Sequence, residues 1–403
     1  MPVLVKDLED VAGMRTTQGS LLFADSPLAV SDGLVPSRLR AAGAIVVGKS
    51  NLPEFACDGH TSNRLFGTTR NPWATDWSPG GSSGGSAAAL AAGLVPIATA
   101  TDGGGSIRIP AAFCGLVGIK PTNGVVGRRP IPDWIDLSTD GPFATMVADL
   151  RLLLEIEAGP VAGDPTALPA PDLTAGKGVA RLLATPRLSQ AAPLPADVAA
   201  LYEAAVDAAG AVFGLPVERI ELATLLSVGN PIDDWPVLCA TEHVHRLGRD
   251  LVEANLDRMS ASARDFLKYG LGISLDIYMA ARRRRFAYVK ELDDLLGQDA
   301  VILSPINAAS GFLADGRLTP DGEPGMLPGE VFNTELANMT GHPALSLPAG
   351  ISPNGVPFGL QVIGPRFRDG MLLELAALWE ERHAWPRTAP GYDSFEQALG
   401  LSI

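Results

Sequence analysis

Residues 78–108 constrain the fold of this chain more than any other stretch. Ser78-Pro79-Gly80-Gly81-Ser82-Ser83-Gly84-Gly85-Ser86 and Thr101-Asp102-Gly103-Gly104-Gly105-Ser106-Ile107-Arg108 are rich in glycine and serine, and the residues between them are small and apolar. A linker of that composition would lie among polar residues, whereas these two segments are embedded in apolar sequence. The pattern predicts a tightly buried helix over Ser82–Leu94, a strand over Ile97–Ala100, and a sharp turn at Gly103-Gly104-Gly105 behind it. The longest apolar run, Ala87 to Ile97, contains Gly93 and Pro96 and falls well short of the roughly 20 residues that a membrane helix needs.

Elsewhere strand-like and helical patterns alternate. Val3-Leu4-Val5, Ala44-Ile45-Val46-Val47, Val179–Ala184, Ala300-Val301-Ile302-Leu303, Ala344–Leu347 and Gly359–Ile363 read as strands. Pro36–Ala42, Leu194–Leu215, Trp235–Leu295 and Met371–Glu381 read as helices, the last amphipathic. This is the α/β signature. Gly159–Pro193 shifts to Pro, Ala, Gly and Asp and reads as a surface connection. Strands near both ends are expected to share one sheet, so residues 1–403 are taken as a single domain. Its core is 1–158 and 300–403, with a more variable, mainly helical region over 159–299. The 46% hydrophobic content over 403 residues supports a large core and excludes a disordered or fibrous chain.

Charge and cysteine usage narrow the partners. Lys+Arg 31 against Asp+Glu 45 gives a net charge of -14, which opposes nucleic-acid binding. The basic run Arg282-Arg283-Arg284-Arg285 reads as a solvated helix face paired with nearby acids. Cys57, Cys114 and Cys239 are odd in number and widely spaced, so no disulfide framework or metal knuckle is expected. No secretory leader is visible in Met1–Asp7. A cytoplasmic protein without membrane or nucleic-acid partner, metal or cofactor follows as the expectation. Glu242, His243 and His245 lack the further residues of a metal site.

Gly43-Ala44-Ile45-Val46-Val47-Gly48-Lys49-Ser50 matches the GxxxxGK[ST] phosphate-loop pattern. That reading, a nucleotide hydrolase, needs a strand before the loop and a helix after it. Here a helix precedes, Ala44–Val47 favour a strand, and Asn51-Leu52-Pro53 follow, so a strand end with a turn is the better reading.

Serine attack on a carbonyl needs a nucleophile on a tight turn, a base, and unobstructed backbone N–H groups for the oxyanion. Gly103, Gly104 and Gly105 ahead of Ser106 fit the donor role. None of His60, His243, His245, His342 and His383 is singled out locally as the base.

The chain resembles the amidase signature enzymes, which use a Ser-Ser-Lys triad in place of Ser-His-Asp. The likeness rests on Pro2–Asp7, Ala42-Gly43-Ala44 with Gly48-Lys49-Ser50-Asn51-Leu52-Pro53-Glu54-Phe55, the run Asn71 to Thr122, Asn338–Ala344 and Gly359–Gly364. It covers nearly the whole chain and is weakest between about 160 and 300. The resemblance implies an amidase signature fold, a large mixed central β-sheet flanked on both faces by α-helices. It implies Ser106 as nucleophile, Ser82 as bridging serine after a cis Gly81–Ser82 bond, and Lys6 as base. Ser83, Asp102 and Arg108 match supporting positions. Lys6 acts as a base only if burial lowers its pKa from about 10.4. Lys49 and Lys120 are the competing lysines.

The implied activity is amidohydrolysis of a small neutral aryl or aliphatic amide, with carbamates and esters as chemical neighbours. Pocket walls are expected from Phe55–Asn63, Ile131–Leu137 and parts of 230–340. Phe55, Asp58, Trp134, Trp235 and Cys239 are the named candidates, with Phe312 and Met326 beside them. The alternative within the family is a glutaminase-type subunit of a tRNA-dependent amidotransferase. The family usually carries several dozen residues ahead of the lysine segment, against five here. Either a partner surface, as in a homodimer, replaces them or the reading frame begins late.

Overall fold

Ten strands form one mixed sheet in the computed structural model. It describes residues 1–400 except 170, 171, 175, 177, 189–192, 222–225, 319–331 and 399. Across the sheet the strands run Val217–Arg219, Arg181–Ala184, Ala300–Pro305, Pro357–Ile363, Ala344–Ile351, Val117–Lys120, Phe143–Ala144, Ile97–Ala98, Pro2–Lys6 and Ile45–Ser50. Pairing is parallel at the two margins and antiparallel through the middle.

Alternate residues of the central strands enter separate apolar layers. Val301 and Leu303 join a cluster with Tyr202, Val206, Met371 and Trp379, from helices Ala196–Phe213 and Asp369–Arg382. Ala300 and Ile302 face the other way, onto Leu292 and Leu296 of helix Leu275–Leu296. Strands buried on both faces read as unbroken apolar runs, which is why 300–303 was recognisable. Helices Gly84–Ala91 and Arg108–Cys114 lie on that second side through Ala87, Leu90, Ile107 and Ala111.

Three helices, Pro231–Leu247, Ala261–Leu271 and Leu275–Leu296, build a lobe around Leu238, Phe266, Leu267 and Tyr288. The region 159–299 is not only this lobe, because it also supplies two strands of the central sheet. Val217–Arg219 went unanticipated: three residues after the left-handed Gly214 cap carry too little periodicity to register. The arginine run pairs with acids from other elements rather than from its own helix. Arg284 meets Asp234 at 2.6 Å and Arg282 meets Asp136 at 2.7 Å. The Arg282 contact fastens the lobe to the loop that carries Trp134, and the Arg284 contact ties two of the lobe's helices together.

The phosphate-loop reading is overturned. Lys49 and Ser50 lie within the strand Ile45–Ser50, parallel to Pro2–Lys6, and Lys49 Nζ is 2.8 Å from Asp7 Oδ1. An extended strand cannot wrap its amides around a phosphate. Among the described residues no helix is long and apolar enough to cross a membrane.

Candidate active site

Strand Pro2–Lys6 carries Lys6 to its end, where the side chain is fully buried. Its Nζ lies 2.8 Å from Ser82 Oγ, 2.9 Å from Ser83 Oγ and 2.8 Å from Thr101 Oγ1. Burial lowers the lysine pKa to about 7, against the opposing pull of Glu9, Asp102 and Asp140. All three contacts are neutral hydroxyls, which serve an amine as well as an ammonium. Val3 and Val5 of the same strand are buried as well. Ser82 follows a cis peptide bond from Gly81, and Ser83 stands at the N-cap position of helix Gly84–Ala91, its hydroxyl turned to Lys6 instead of to the helix amides.

Lys120 is also buried and lowered to about 7 by burial, so burial alone does not distinguish the lysines. Their neighbours do. Lys120 Nζ donates to the carbonyl of Pro121 at 2.7 Å, and Lys49 is held by Asp7. Of these three lysines, Lys6 alone touches the serines.

Asp102 and Arg108 brace the turn that carries Ser106. Asp102 Oδ1 accepts from the Gly105 N–H and from Arg108 Nη2, both at 2.8 Å, and Oδ2 accepts from Arg108 Nε at 2.9 Å. Arg108 donates further to the Thr334 carbonyl, Gln361 Oε1 and Asn338 Oδ1. Burial works to raise the Asp102 pKa, but Arg108, with a hydrogen bond from Asn338, holds it at about 2. Arg108→Met would leave that carboxylate buried and unpaired. The expected cost is about 3–5 kcal/mol of unfolding free energy in denaturant titration. Asp102→Asn in the same chain should recover part of the loss.

Two tryptophans explain two of the glycines. A Cβ on Gly103 would lie 2.2 Å from Trp134 Cε3, and one on Gly104 would lie 2.6 Å from Trp235 Cζ2. Trp235 Nε1 also donates to the Gly103 carbonyl at 2.7 Å. The expectation of three glycine donors is corrected at Gly105, whose N–H already serves Asp102. Among the described residues, the N–H groups of Gly103, Gly104 and Ser106 have no hydrogen-bond partner.

Ser106 sits where two cavities meet, of about 490 and 220 Å³, and Ser82 lines the larger. The hydroxyl of Ser106 makes no hydrogen bond with Ser82 or any other described group, so the structure joins Lys6 to Ser82 but leaves Ser106 open to the cavities. Phe55 lines the larger cavity, Asp58 and Trp235 the smaller, and Trp134 both. Cys239 is corrected. It is fully buried on the inner side of its helix, in the lobe core with Leu238 and Phe266, and lines neither cavity. Phe312 likewise packs between Phe113 and Phe332. Met326 lies outside the described residues.

Sequence reasoning gave no role to Thr101, Asn338 or Gln361. All three sit inside the segments that carried the resemblance, which was the available signal. His243 lines the larger cavity, its imidazole pushed down to about 4 by burial, with Nε2 3.4 Å from Asp133. No group of three or more His, Cys, Asp or Glu among the described residues is arranged to hold a metal ion.

This fold and this arrangement of residues coincide with a known family. The chain belongs to the Amidase family, whose model matches residues 1–226 and 238–373. AmiB2 of Mycobacterium tuberculosis, an amidase by name, is 34% identical over 97% of this chain and 83% of that protein. One of the glutamyl-tRNA(Gln) amidotransferase subunits of Chromobacterium violaceum is 32% identical over 97% of this chain and 85% of its own. The crystal structure of a bacterial aryl acylamidase of the amidase signature enzymes superposes with a TM-score of 0.82 at 26% identity. That match covers 96% of this chain and 83% of the acylamidase.

Proposed function

We propose that this chain is an amidohydrolase that cleaves the C–N bond of a small aryl or aliphatic amide through an acyl-enzyme on Ser106. The observation that carries this reading is the buried Lys6 amine in hydrogen-bond contact with Ser82, beside a glycine turn that presents Ser106 to a cavity. Neutral Lys6 takes the Ser82 proton while Ser82 takes that of Ser106, whose hydroxyl swings onto Ser82 as substrate binds. The Ser106 Oγ–carbon bond forms, and the Gly103, Gly104 and Ser106 amides receive the oxyanion. The proton returns through Ser82 to the nitrogen, the C–N bond breaks and the amine leaves. Water then attacks the ester by the same relay and releases Ser106. Carbamates and esters present the same carbonyl.

On this reading residues 1–403 act as one domain in the cytoplasm, with Cys57, Cys114 and Cys239 free. An acyl-enzyme partitions between nucleophiles, so hydroxylamine added during turnover is expected to divert product from the acid to the hydroxamate. Hydrolysis with no hydroxamate at saturating hydroxylamine would overturn the acyl-enzyme. The likeness to the amidotransferase protein favours a second reading, a glutaminase-type subunit. It requires a partner chain, since a net charge of -14 opposes direct tRNA contact.

A further inference from the structure

The two cavities that meet at Ser106 differ in the charges on their walls. The larger is of mixed charge, with Arg128, Arg129 and Arg246 set against Glu9, Asp10, Asp133 and Asp140. The smaller carries Asp58, Asp233 and Glu335, and no lysine or arginine among the described residues. Four aromatic rings share its walls with small and aliphatic residues. Trp134 and Trp235 meet edge to face at 5.3 Å, Phe266 lies 6.0 Å from both, and Phe332 closes one side.

Asp58 is the telling group. Its side chain is 1% exposed. Oδ1 accepts the Gly59 N–H at 2.7 Å and lies 3.2 Å from His60 Nδ1, while Oδ2 is buried with no hydrogen-bond partner among the described groups. A buried carboxylate oxygen left unpaired is costly, and a donor from outside the chain would satisfy it. Glu335 is buried too, its carboxyl group held by the backbone N–H groups of Thr334, at 3.2 Å, and of Glu335 itself, with no side-chain donor among the described groups. Arg108, whose charge acts on Glu335, is committed to Asp102, Asn338, Gln361 and the Thr334 carbonyl. Asp233 stands exposed at the rim. Carboxylates set among tryptophan and phenylalanine rings suit an organic cation, which gains from ion pairing and from the ring faces together.

We propose that the smaller cavity is a subsite for a protonated amine carried by the substrate, so that the amide cleaved at Ser106 bears an ammonium group. This rests on the reading of Ser106 above and replaces the neutral amide expected from the sequence with a cationic one.

The test compares two cationic amides with uncharged isosteres. One is 5-aminopentanamide against hexanamide, with the cation on the acyl side. The other is N-(4-aminobutyl)acetamide against N-pentylacetamide, with the cation on the amine side. One cationic member is expected to exceed its isostere by about tenfold or more in kcat/KM, chiefly through KM. That ratio should fall toward one in Asp58→Asn and in Glu335→Gln, and by less in Asp233→Asn, whose exposed position spares the fold. No cationic preference in either pair, or a preference that survives all three substitutions, would overturn the proposal. Calorimetric binding of benzylammonium to Ser106→Ala separates the two readings. Binding that Asp58→Asn removes, without hydrolysis of any amide by the native chain, would leave the subsite standing and sink the catalytic reading. Hydrolysis of both neutral amides without benzylammonium binding would do the reverse.

Discussion

Ser106→Ala is expected to lower kcat/KM for any amide substrate by roughly 10⁴-fold or more, which is the scale seen when the nucleophile of a serine hydrolase is removed. The substitution deletes one oxygen that makes no hydrogen bond in the structure, on a side chain that faces the cavities. Folding therefore has nothing to lose, and the melting temperature should stay within a degree or two of the native chain. What persists is substrate binding and the Gly103 and Gly104 amides, which account for residual turnover above water. Activity near the native level in a variant that melts normally would remove Ser106 from the chemistry. A loss of activity together with a large drop in melting temperature would instead assign Ser106 a role in holding the turn.

Lys6→Ala is the second large effect, and its direction follows from protonation. The relay begins only when the amine is neutral, so activity belongs to the deprotonated form. With burial lowering the lysine pKa to about 7, kcat/KM is expected to rise with pH through about 7 and then level off. A lysine at its ordinary value of about 10.4 would place that rise beyond the working range. Removing the amine is expected to cost on the order of 10³-fold in kcat/KM and to abolish the rise near pH 7. Glu9 and Asp140 work against the lowered value through their charge on Lys6. A flat profile in the native enzyme between pH 6 and 9, or an unchanged profile in Lys6→Ala, would contradict the assignment.

Some of this molecule was readable before folding. Ala300–Leu303 announced itself because a strand covered on both faces needs apolar residues throughout, and Ala344–Leu347 and Gly359–Ile363 stayed legible although Ser346 and Gln361 interrupt their apolar runs. Ile97–Ala98 and Phe143–Ala144 are two residues long and carry no periodicity, so their order in the sheet is a tertiary fact. Lys6 was nameable only through the family resemblance, since a lysine near a chain start says nothing of its own burial. The three glycines before Ser106 look alike in sequence. The structure divides them, because Asp102 folds back onto Gly105 while Trp134 and Trp235 cover Gly103 and Gly104. Cys239 misled because it lies one turn beyond Trp235 on the same helix, and that helix turns Cys239 into the lobe core. The partners of Arg282 and Arg284 come from 146 and 50 residues away in the chain, a distance that no local charge pattern spans.

The most direct test of the central claim is intact-protein mass after incubation with a fluorophosphonate, run on the native chain and on Ser106→Ala at pH 8, where Lys6 is deprotonated. The account predicts one adduct on the native chain and none on the variant. An adduct that persists in Ser106→Ala, or none on a folded native chain, would contradict a lysine-activated Ser106.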